Sequence, residues 1–227
     1  MRHISLCCGV EDESSVLTTL TEAIMGHCRP ASLRRLKISK AHGIADDDVP
    51  EPWPLLFEHV APLIAFNGLA AISISAFHGT TITDGDCEQL AQAWPAPQLG
   101  KLTFDVHGTH ATTVTCTLAG VAAFARHCPL LHRINIPFDA TIIPTDLPNA
   151  QRQLAAGVLA RQVEVVAKTF ANISDAPGVA QFLSKAFQPK KLEVLHRSFG
   201  TAGFEDTEVE RRDVLWLQVQ SIVSGRH

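Results

Sequence analysis

Apolar residues recur along the chain in a pattern that switches between two periods. Stretches with apolar residues three or four positions apart predict amphipathic helices, and the alternating stretches that follow them predict strands. The innermost apolar residues of these strands are spaced by 32, 36, 30 and 32 residues: Leu6, Ile38, Ile74, Phe104 and Ile136. A repeat of roughly 20–50 residues is typical of solenoids, in which each unit packs against its neighbours.

The repeats share a phrase as well as a period. In each, a helix ends at His-Cys or Ala-Trp near a proline, and a Leu-x-x-Leu-x-hydrophobic strand follows. The phrase reads HCRPASLRRLKI at 27–38, AWPAPQLGKLTF at 93–104 and RHCPLLHRINI at 126–136, with a looser copy, NGLAAISI, at 67–74. Strand, helix and strand in this regular order predict parallel strands joined by right-handed crossovers.

The periodicity places helices and strands along the whole chain. Helices are predicted over 14–28, 55–66, 84–93, 118–127, 178–187 and 209–223, and strands over 3–6, 33–38, 70–75, 101–106, 133–136, 162–170 and 192–195. Pro62 must kink or shorten the second helix, because proline has no amide hydrogen. We expect one domain over 1–227, with clear repeats at 1–145 and degenerate ones at 146–208. The last helix, at about 209–223, would cap the open end of the stack.

A doubly wound α/β sheet is the alternative architecture. It normally carries a glycine-rich phosphate loop after its first strand. The segment after HISL reads CCGVEDESS, with one glycine and three acids, and the chain has no GxGxxG, GxxxxGK[ST] or GxSxG motif. The sequence therefore favours an α/β, leucine-rich-repeat-like solenoid, with a parallel β-sheet on the concave face and helices on the convex face.

Composition narrows the classes of partner. Hydrophobic residues make up 46% and charged residues 19%, with a net charge of −4, so a core is expected and charge alone suggests neither a nucleic acid nor a membrane as partner. No apolar stretch is long enough for a membrane helix or a signal peptide. We therefore expect reduced cysteines and a cytoplasmic or nuclear protein.

Alternation along the predicted strands separates core residues from concave-face residues. The latter are mostly basic or polar, which suits an acidic or phosphorylated segment of a target protein; ordinary solvated strand residues are the alternative. The expected target-binding residues are Arg35, Lys37, Ser73, Lys101, Thr103, Asp105, Arg133 and Asn135.

Loops after the predicted strands form a second candidate edge. They read HGTT at 78–81, HGTHATT at 107–113 and DATII at 139–143, and they place His78, His107, His110 and Asp139 together at one side. Such loops often carry function because their side chains are not needed to pack the core. Ordinary polar turns are the simpler interpretation.

Metal and catalytic motifs are weak. The six cysteines lack CxxC pairs, and Cys28 and Cys128 share a repeat position that predicts core packing. His107-x-x-His110 lacks the accompanying carboxylate helix of a zinc protease. We predict no metal, no cofactor and no catalytic residue.

Six further residues have structural interpretations. Thr83 or Asp84 is expected to cap the helix that begins there, and Asp84 and Asp86 are explained by capping and by negative charge at the N-terminus of the helix. Trp94 occupies the repeat position of the His-Cys pairs and is expected in the core. His27 and His127 share another position, at the ends of helices, where the helix dipole favours a cation.

Three segments and a closing WLQV resemble the leucine-rich-repeat region of F-box proteins, most of all the large group in mushroom-forming fungi. They are TDGDCEQLAQAWPAPQLGKLTF, TLAGVAAFARHCPLLHRINIPFDAT and ISDAPGVAQFLSKAFQPKKLEVL, and the resemblance covers roughly 25–223. It implies an intracellular protein-interaction domain that recognises substrates of a ubiquitin ligase, without catalysis.

The sequence departs from that family in two ways. The F-box, with its LP-x-E-hydrophobic signature, is not found, and the family's Phe-Pro before the last strand is interrupted as FQPKKL. A Skp-type adaptor is thus expected as a partner only if an F-box lies upstream. Two alternatives stay open: an α/β hydrolase- or transferase-like enzyme with its site at the strand C-terminal loops, and a degraded paralogue with no retained function.

Overall fold

Seven parallel strands form one open sheet, and they lie side by side in the order in which they occur along the chain. The computed structural model describes residues 2–9, 14–40, 54–77, 79–94, 99–106, 114–145, 162–168, 171–188, 191–197 and 206–225. The strands are β1 (His3–Cys8), β2 (Arg35–Lys40), β3 (Ala71–Phe77), β4 (Lys101–Val106), β5 (Arg133–Asn135), β6 (Gln162–Lys168) and β7 (Lys191–Arg197). The predicted α/β class and parallel sheet are confirmed.

Helices lie between most of these strands, close to their predicted bounds. They are α1 (Ser14–His27), α2 (Phe57–Val60), α3 (Asp84–Ala93), α4 (Leu118–His127), α5 (Ala176–Phe187) and α6 (Asp206–Val223). The predicted helix over 55–66 is broken as expected. Its α-helical part ends at Val60, and a 3₁₀ helix with Pro62 in its first turn continues over Ala61–Ala65.

One side of the sheet is a continuous apolar core. A single row of aliphatic side chains runs in register through all seven strands: Ile4, Leu36, Ile72, Leu102, Ile134, Val165 and Val194. None is more than 7% exposed. A second row aligns Leu6, Ile38, Ile74 and Phe104, the repeat residues that the sequence predicted. Burial of these rows is the main favourable term in the stability of the sheet.

Two tryptophan side chains pack in this core at different places. The indole Nε1 of Trp94 donates to the Leu63 carbonyl at 3.0 Å, and that of Trp216 on α6 donates to the Ala171 carbonyl at 2.8 Å. Trp94 is 1% exposed and Trp216 is fully buried, so the expected core position of Trp94 is confirmed. Cys128 is buried as predicted, whereas Cys28 is only half-buried.

Helices α3 and α4 are joined through the carboxylate of Asp84. Thr83 caps α3, and its capping box is completed by Asp86, as the sequence predicted. Asp84 instead accepts hydrogen bonds from the first turn of α4: from the Thr117 amide and hydroxyl, both at 2.7 Å, and from the Gly120 amide at 2.9 Å. Of the two expected caps, Thr83 is the one that caps α3. Asp84 lies in the first turn of α3, where negative charge is expected, and its oxygens satisfy the free amides of the next helix.

Gly120 allows this close approach. A Cβ at that position would lie 2.7 Å from Cys116 Sγ, 2.8 Å from Asp84 Oδ1 and 3.1 Å from Cys87 Sγ. The two sulfur atoms belong to free thiols that lie 3.7 Å apart in the buried interface. A side chain at 120 would have to separate α3 from α4.

We expect Gly120→Ala to lower the free energy of unfolding by about 1–3 kcal/mol, the usual range for overpacking. Gly26, on α1, is the matched control because a Cβ there meets nothing within 4 Å. Gly26→Ala should raise stability by about 0.4–1 kcal/mol through the unfolded chain. Urea unfolding of both variants measures the difference, and equal stabilities would contradict the packing argument.

A second link between α3 and α4 is electrostatic. Arg126 donates to both oxygens of Glu88 at 3.1 Å, and His127 Nε2 lies 2.7 Å from Glu88 Oε1. Burial alone would raise the pKa of Glu88, but hydrogen bonds from His127 and Gln92 and the charge of Arg126 lower it overall. His127 thus has a specific partner on the neighbouring helix as well as its place at a helix end.

Glu88→Gln should destabilise the protein by a few tenths to about 1 kcal/mol at pH 7. A lowered pKa in the folded state gives stability that is present above the ordinary value of 4.5 and is lost as the pH falls below it. The melting temperatures of wild type and variant should therefore converge between pH 5 and about pH 3. Glu22→Gln, an exposed change on α1, should show no such convergence; a constant difference for Glu88→Gln would contradict the linkage.

Candidate functional site

The side of the sheet opposite the core carries charged and polar side chains. We call it the polar face. One row crosses all seven strands in register: His3, Arg35, Ala71, Lys101, Arg133, Glu164 and Glu193. These residues alternate with the apolar row that includes Leu36 and Leu102, so they point away from the core. The alternation of polar and apolar residues along each strand thus produces a continuous polar surface on the folded sheet.

All eight residues predicted to bind a target occupy this face. Arg35 and Lys37 are exposed, and the partly exposed ones are Ser73, Lys101, Asp105 and Arg133. Thr103 and Asn135, which are register partners on β4 and β5, are only 8% and 5% exposed. The other predicted residues project from the face, whereas this central pair lies at its base.

A depression of about 750 Å³ lies on the polar face over β3, and we call it the β3 trough. Its lining residues are His3, Arg35, Leu36, Lys37, Ala70, Ala71, Ser73, Gly100, Lys101, Leu130 and His132. The trough exists because β3 presents the small side chains Ala71 and Ser73 between longer ones on β2 and β4. Five of its lining residues are basic or histidine, and none is acidic.

Two acids of the polar face, on β6 and β7, are paired with cations at its other end. Glu164 on β6 lies 3.1 Å from Arg133, and Glu193 on β7 accepts from Lys191 at 2.7 Å and from Gln162. The hydrogen bond from Lys191 lowers the pKa of Glu193. Among the described residues, Arg35, Lys37 and Lys101 have no ion pair of this kind. Within the described part of the chain, these three cations are therefore not neutralised by a carboxylate.

Buried polar atoms without a hydrogen-bond partner gather on the same face. Among the described residues, these atoms are Thr103 Oγ1, Arg133 Nε and Asn135 Oδ1 on this face, and His196 Nδ1. Glu164 Oε1 also accepts no hydrogen bond, but it lies 3.1 Å from Arg133 Nη1 in an ion pair. Folded proteins satisfy most of their buried polar groups, because an unpaired one costs free energy. The unpaired atoms of Thr103, Arg133 and Asn135 lie on the neighbouring strands β4 and β5.

The predicted loop edge is described only in part. His78, His107 and His110 lie outside the described residues. The carboxylate of Asp139 accepts from the Thr141 amide at 2.8 Å, which makes it part of a local turn. Among the side chains that the structure describes, no three His, Cys, Asp or Glu residues are placed to share a metal ion. Within the same residues, no helix is both long and apolar enough to cross a bilayer.

The fold and surface define an α/β protein with a seven-stranded parallel sheet and an electrically polarised face. In comparisons with known proteins, no family model and no curated protein matches the sequence.

Thr103→Val tests whether this central hydroxyl is unpaired in the free protein. Replacing a buried, unpartnered hydroxyl by a methyl group should raise the free energy of unfolding by about 1 kcal/mol. Thr21 is the control, since its buried hydroxyl donates to the carbonyls of Leu17 and Thr18 at 3.1 and 2.9 Å. Thr21→Val should lower stability by about 1 kcal/mol. Urea denaturation distinguishes the two, and destabilisation by Thr103→Val would show that its hydroxyl is hydrogen-bonded.

Proposed function

We propose that this chain is a protein-interaction domain that holds a target protein on the polar face and has no catalysis of its own. The observation that carries the proposal is the positive charge of Arg35, Lys37 and Lys101 around the β3 trough, which no carboxylate among the described residues pairs. The surface is broad, shallow and polar, which is typical of sites that bind other macromolecules. Positive charge at one end of the face, next to a region of paired charges, attracts an acidic partner and also fixes the direction in which that partner lies.

We interpret the fold as a leucine-rich-repeat-like solenoid, with the polar face as its concave side. Two features support this. The strands follow one another without the reversal of order that defines a doubly wound sheet and creates its ligand crevice. The repeat residues Leu6, Ile38, Ile74 and Phe104 occupy the same register position in successive strands, as expected when each unit packs on the one before it.

The partner that this surface favours is an acidic segment of a protein. The net charge of the chain is −4, so the positive potential of the β3 trough is local and does not reflect a generally basic molecule. Such a local field attracts an acidic segment to one place and repels it elsewhere. Glu164 and Glu193, already paired with cations, would oppose an acidic segment less than free carboxylates do.

The resemblance to the repeats of fungal F-box proteins suggests what binding achieves. We propose that the domain recognises substrates for a ubiquitin ligase, or descends from one that does. A Skp-type adaptor would join it only through an F-box in the same polypeptide. Co-purification of the protein with a Skp-type adaptor tests this role, and its failure would restrict the proposal to a free-standing interaction domain.

Charge reversal on the polar face tests the binding proposal directly. Lys37→Glu should weaken binding of a fluorescent Asp/Glu-rich peptide at least tenfold at low salt, measured by anisotropy, because attraction becomes repulsion. Lys185→Glu is the matched control, since Lys185 is an exposed cation on α5, outside the sheet. Equal effects of the two changes would show that only net charge matters and would contradict a site on this face.

A further inference from the structure

The two ends of the sheet are open strand edges. Among the described strands, β1 has a neighbour only on the side of β2, and β7 only on the side of β6. A strand edge presents main-chain donors and acceptors to any strand that can pair with it. Stacked repeats usually end in a capping unit whose outer face is polar. The outer face of α6 departs from this rule, since Val214 and Leu217 are 53% and 57% exposed.

Exposed apolar side chains concentrate at these two ends. Met25 is exposed on α1, the first helix, and the last helix, α6, exposes Ile222 as well as Val214 and Leu217. Among the large hydrophobic residues that the structure describes, only Ile142 is exposed elsewhere. Both ends of the stack therefore carry apolar surface of the kind that marks an interaction site.

A groove of about 360 Å³ follows the outer edge of β7, and we call it the β7 groove. One side is formed by Glu193, Val194 and Leu195 of β7. The other side belongs to α6 and includes Leu217 and Gln220. The groove thus exposes the last strand beside an apolar helix face, which is the setting in which an extended segment adds a strand to a sheet.

The hydrogen bonds between strands repeat in a way that makes the two edges complementary. At successive junctions, the amide of a residue in the charged row donates to a carbonyl of the preceding strand at 2.9–3.2 Å: Arg35 to Arg2, Ala71 to Arg34, Lys101 to Ala70, Arg133 to Gly100 and Glu164 to His132. The main chain of the charged row thus faces the preceding strand, and that of the apolar row faces the following one. By this pattern, His3 and Ser5 face outward on β1, and Leu192 and Val194 face outward on β7.

Charge and register favour the union of opposite ends. The charged row begins with His3 and Arg35 and ends with Glu164 and Glu193. If β1 of a second copy followed β7 in the register of the sheet, His3 would lie beside Glu193, and Ile4 would extend the apolar row beyond Val194. A symmetric pair would instead join two basic ends or two acidic ends, which like charges oppose.

We propose that this chain associates head to tail, with β1 of one copy entering the β7 groove of the next as a further parallel strand. The contact is heterologous, so each added copy leaves one edge of each kind free, and assembly continues into open chains or closes into a ring. The inference does not depend on the proposed function. Its consequence would be a row of polar faces side by side, which would bind a multivalent target more tightly than one face does.

Sedimentation velocity of the purified full chain over a wide range of concentrations tests the association. The wild type should form species of increasing mass as its concentration rises. Leu217→Lys places a charge in the groove and should weaken association about tenfold, or about 1.4 kcal/mol. Gln218→Lys is the matched control, because it adds the same charge at an exposed position of α6 that does not line the groove.

Ser5→Pro tests the other end. It removes an amide that faces away from β2, a position at which an edge strand tolerates proline, and it should weaken association by a similar factor. Thermal unfolding checks that each variant is folded. If Ser5→Pro does not fold, His3→Glu serves instead, since it puts a second carboxylate beside Glu193 and changes only an exposed side chain.

Mixing the two variants distinguishes head-to-tail from symmetric contacts. Leu217→Lys retains an intact β1 edge, and Ser5→Pro retains an intact β7 groove, so the mixture should form a dimer that cannot grow, although each variant alone stays monomeric. Dimers of either variant alone would overturn the head-to-tail arrangement in favour of a symmetric one. Equal effects of Leu217→Lys and Gln218→Lys would overturn the groove as the site. A wild type that stays monomeric at every concentration would overturn a second copy as the occupant.

Discussion

The register of the parallel strands is the constraint on which both faces of the sheet depend. Each strand aligns the same repeat position with its neighbours, so Leu36 meets Ile72 and Leu102, while Arg35 meets Ala71 and Lys101. Side chains alternate along a strand with a period of two, and a slip by one residue would exchange core and surface. The apolar row excludes such a slip because its members would become exposed together. The same burial that stabilises the sheet therefore also assembles the charged row.

This coupling explains why the polar face is ordered by sign. Cations predominate on β2 and β4, where Asp105 is the one acid of the described face, and the pairs Arg133–Glu164 and Lys191–Glu193 lie in the second half of the sheet. Small residues on β3 then convert a row of cations into a trough. No residue of the trough is unusual by itself. The shape and charge of the trough depend on which side chains the register places next to one another. Ala71 leaves the space, and Lys101 supplies charge at its border.

Most elements could be predicted from the sequence because periodicity, proline and capping residues act locally. β4 and α4 match their predicted bounds, and Pro62 shortens its helix as expected. What sequence reasoning missed depends on partners distant in the chain. Asp84 looks like a cap for its own helix, and only the packing of α3 against α4 reveals Thr117 and Gly120 as its donors. Likewise, alternation places Thr103 on the correct face but does not report how deeply that part of the face is buried.

The Asp84 carboxylate has a consequence for how the repeats behave as modules. Repeat proteins are often treated as interchangeable units that can be deleted, duplicated or transplanted. Here one unit supplies the carboxylate that completes the helix start of the next, so cutting between α3 and α4 leaves orphan amides on one side and an uncompensated acid on the other. Recombination between repeat proteins should therefore avoid the boundary between these two units. A transplanted segment must contain both Asp84 and the residues that donate to it, Thr117 and Gly120.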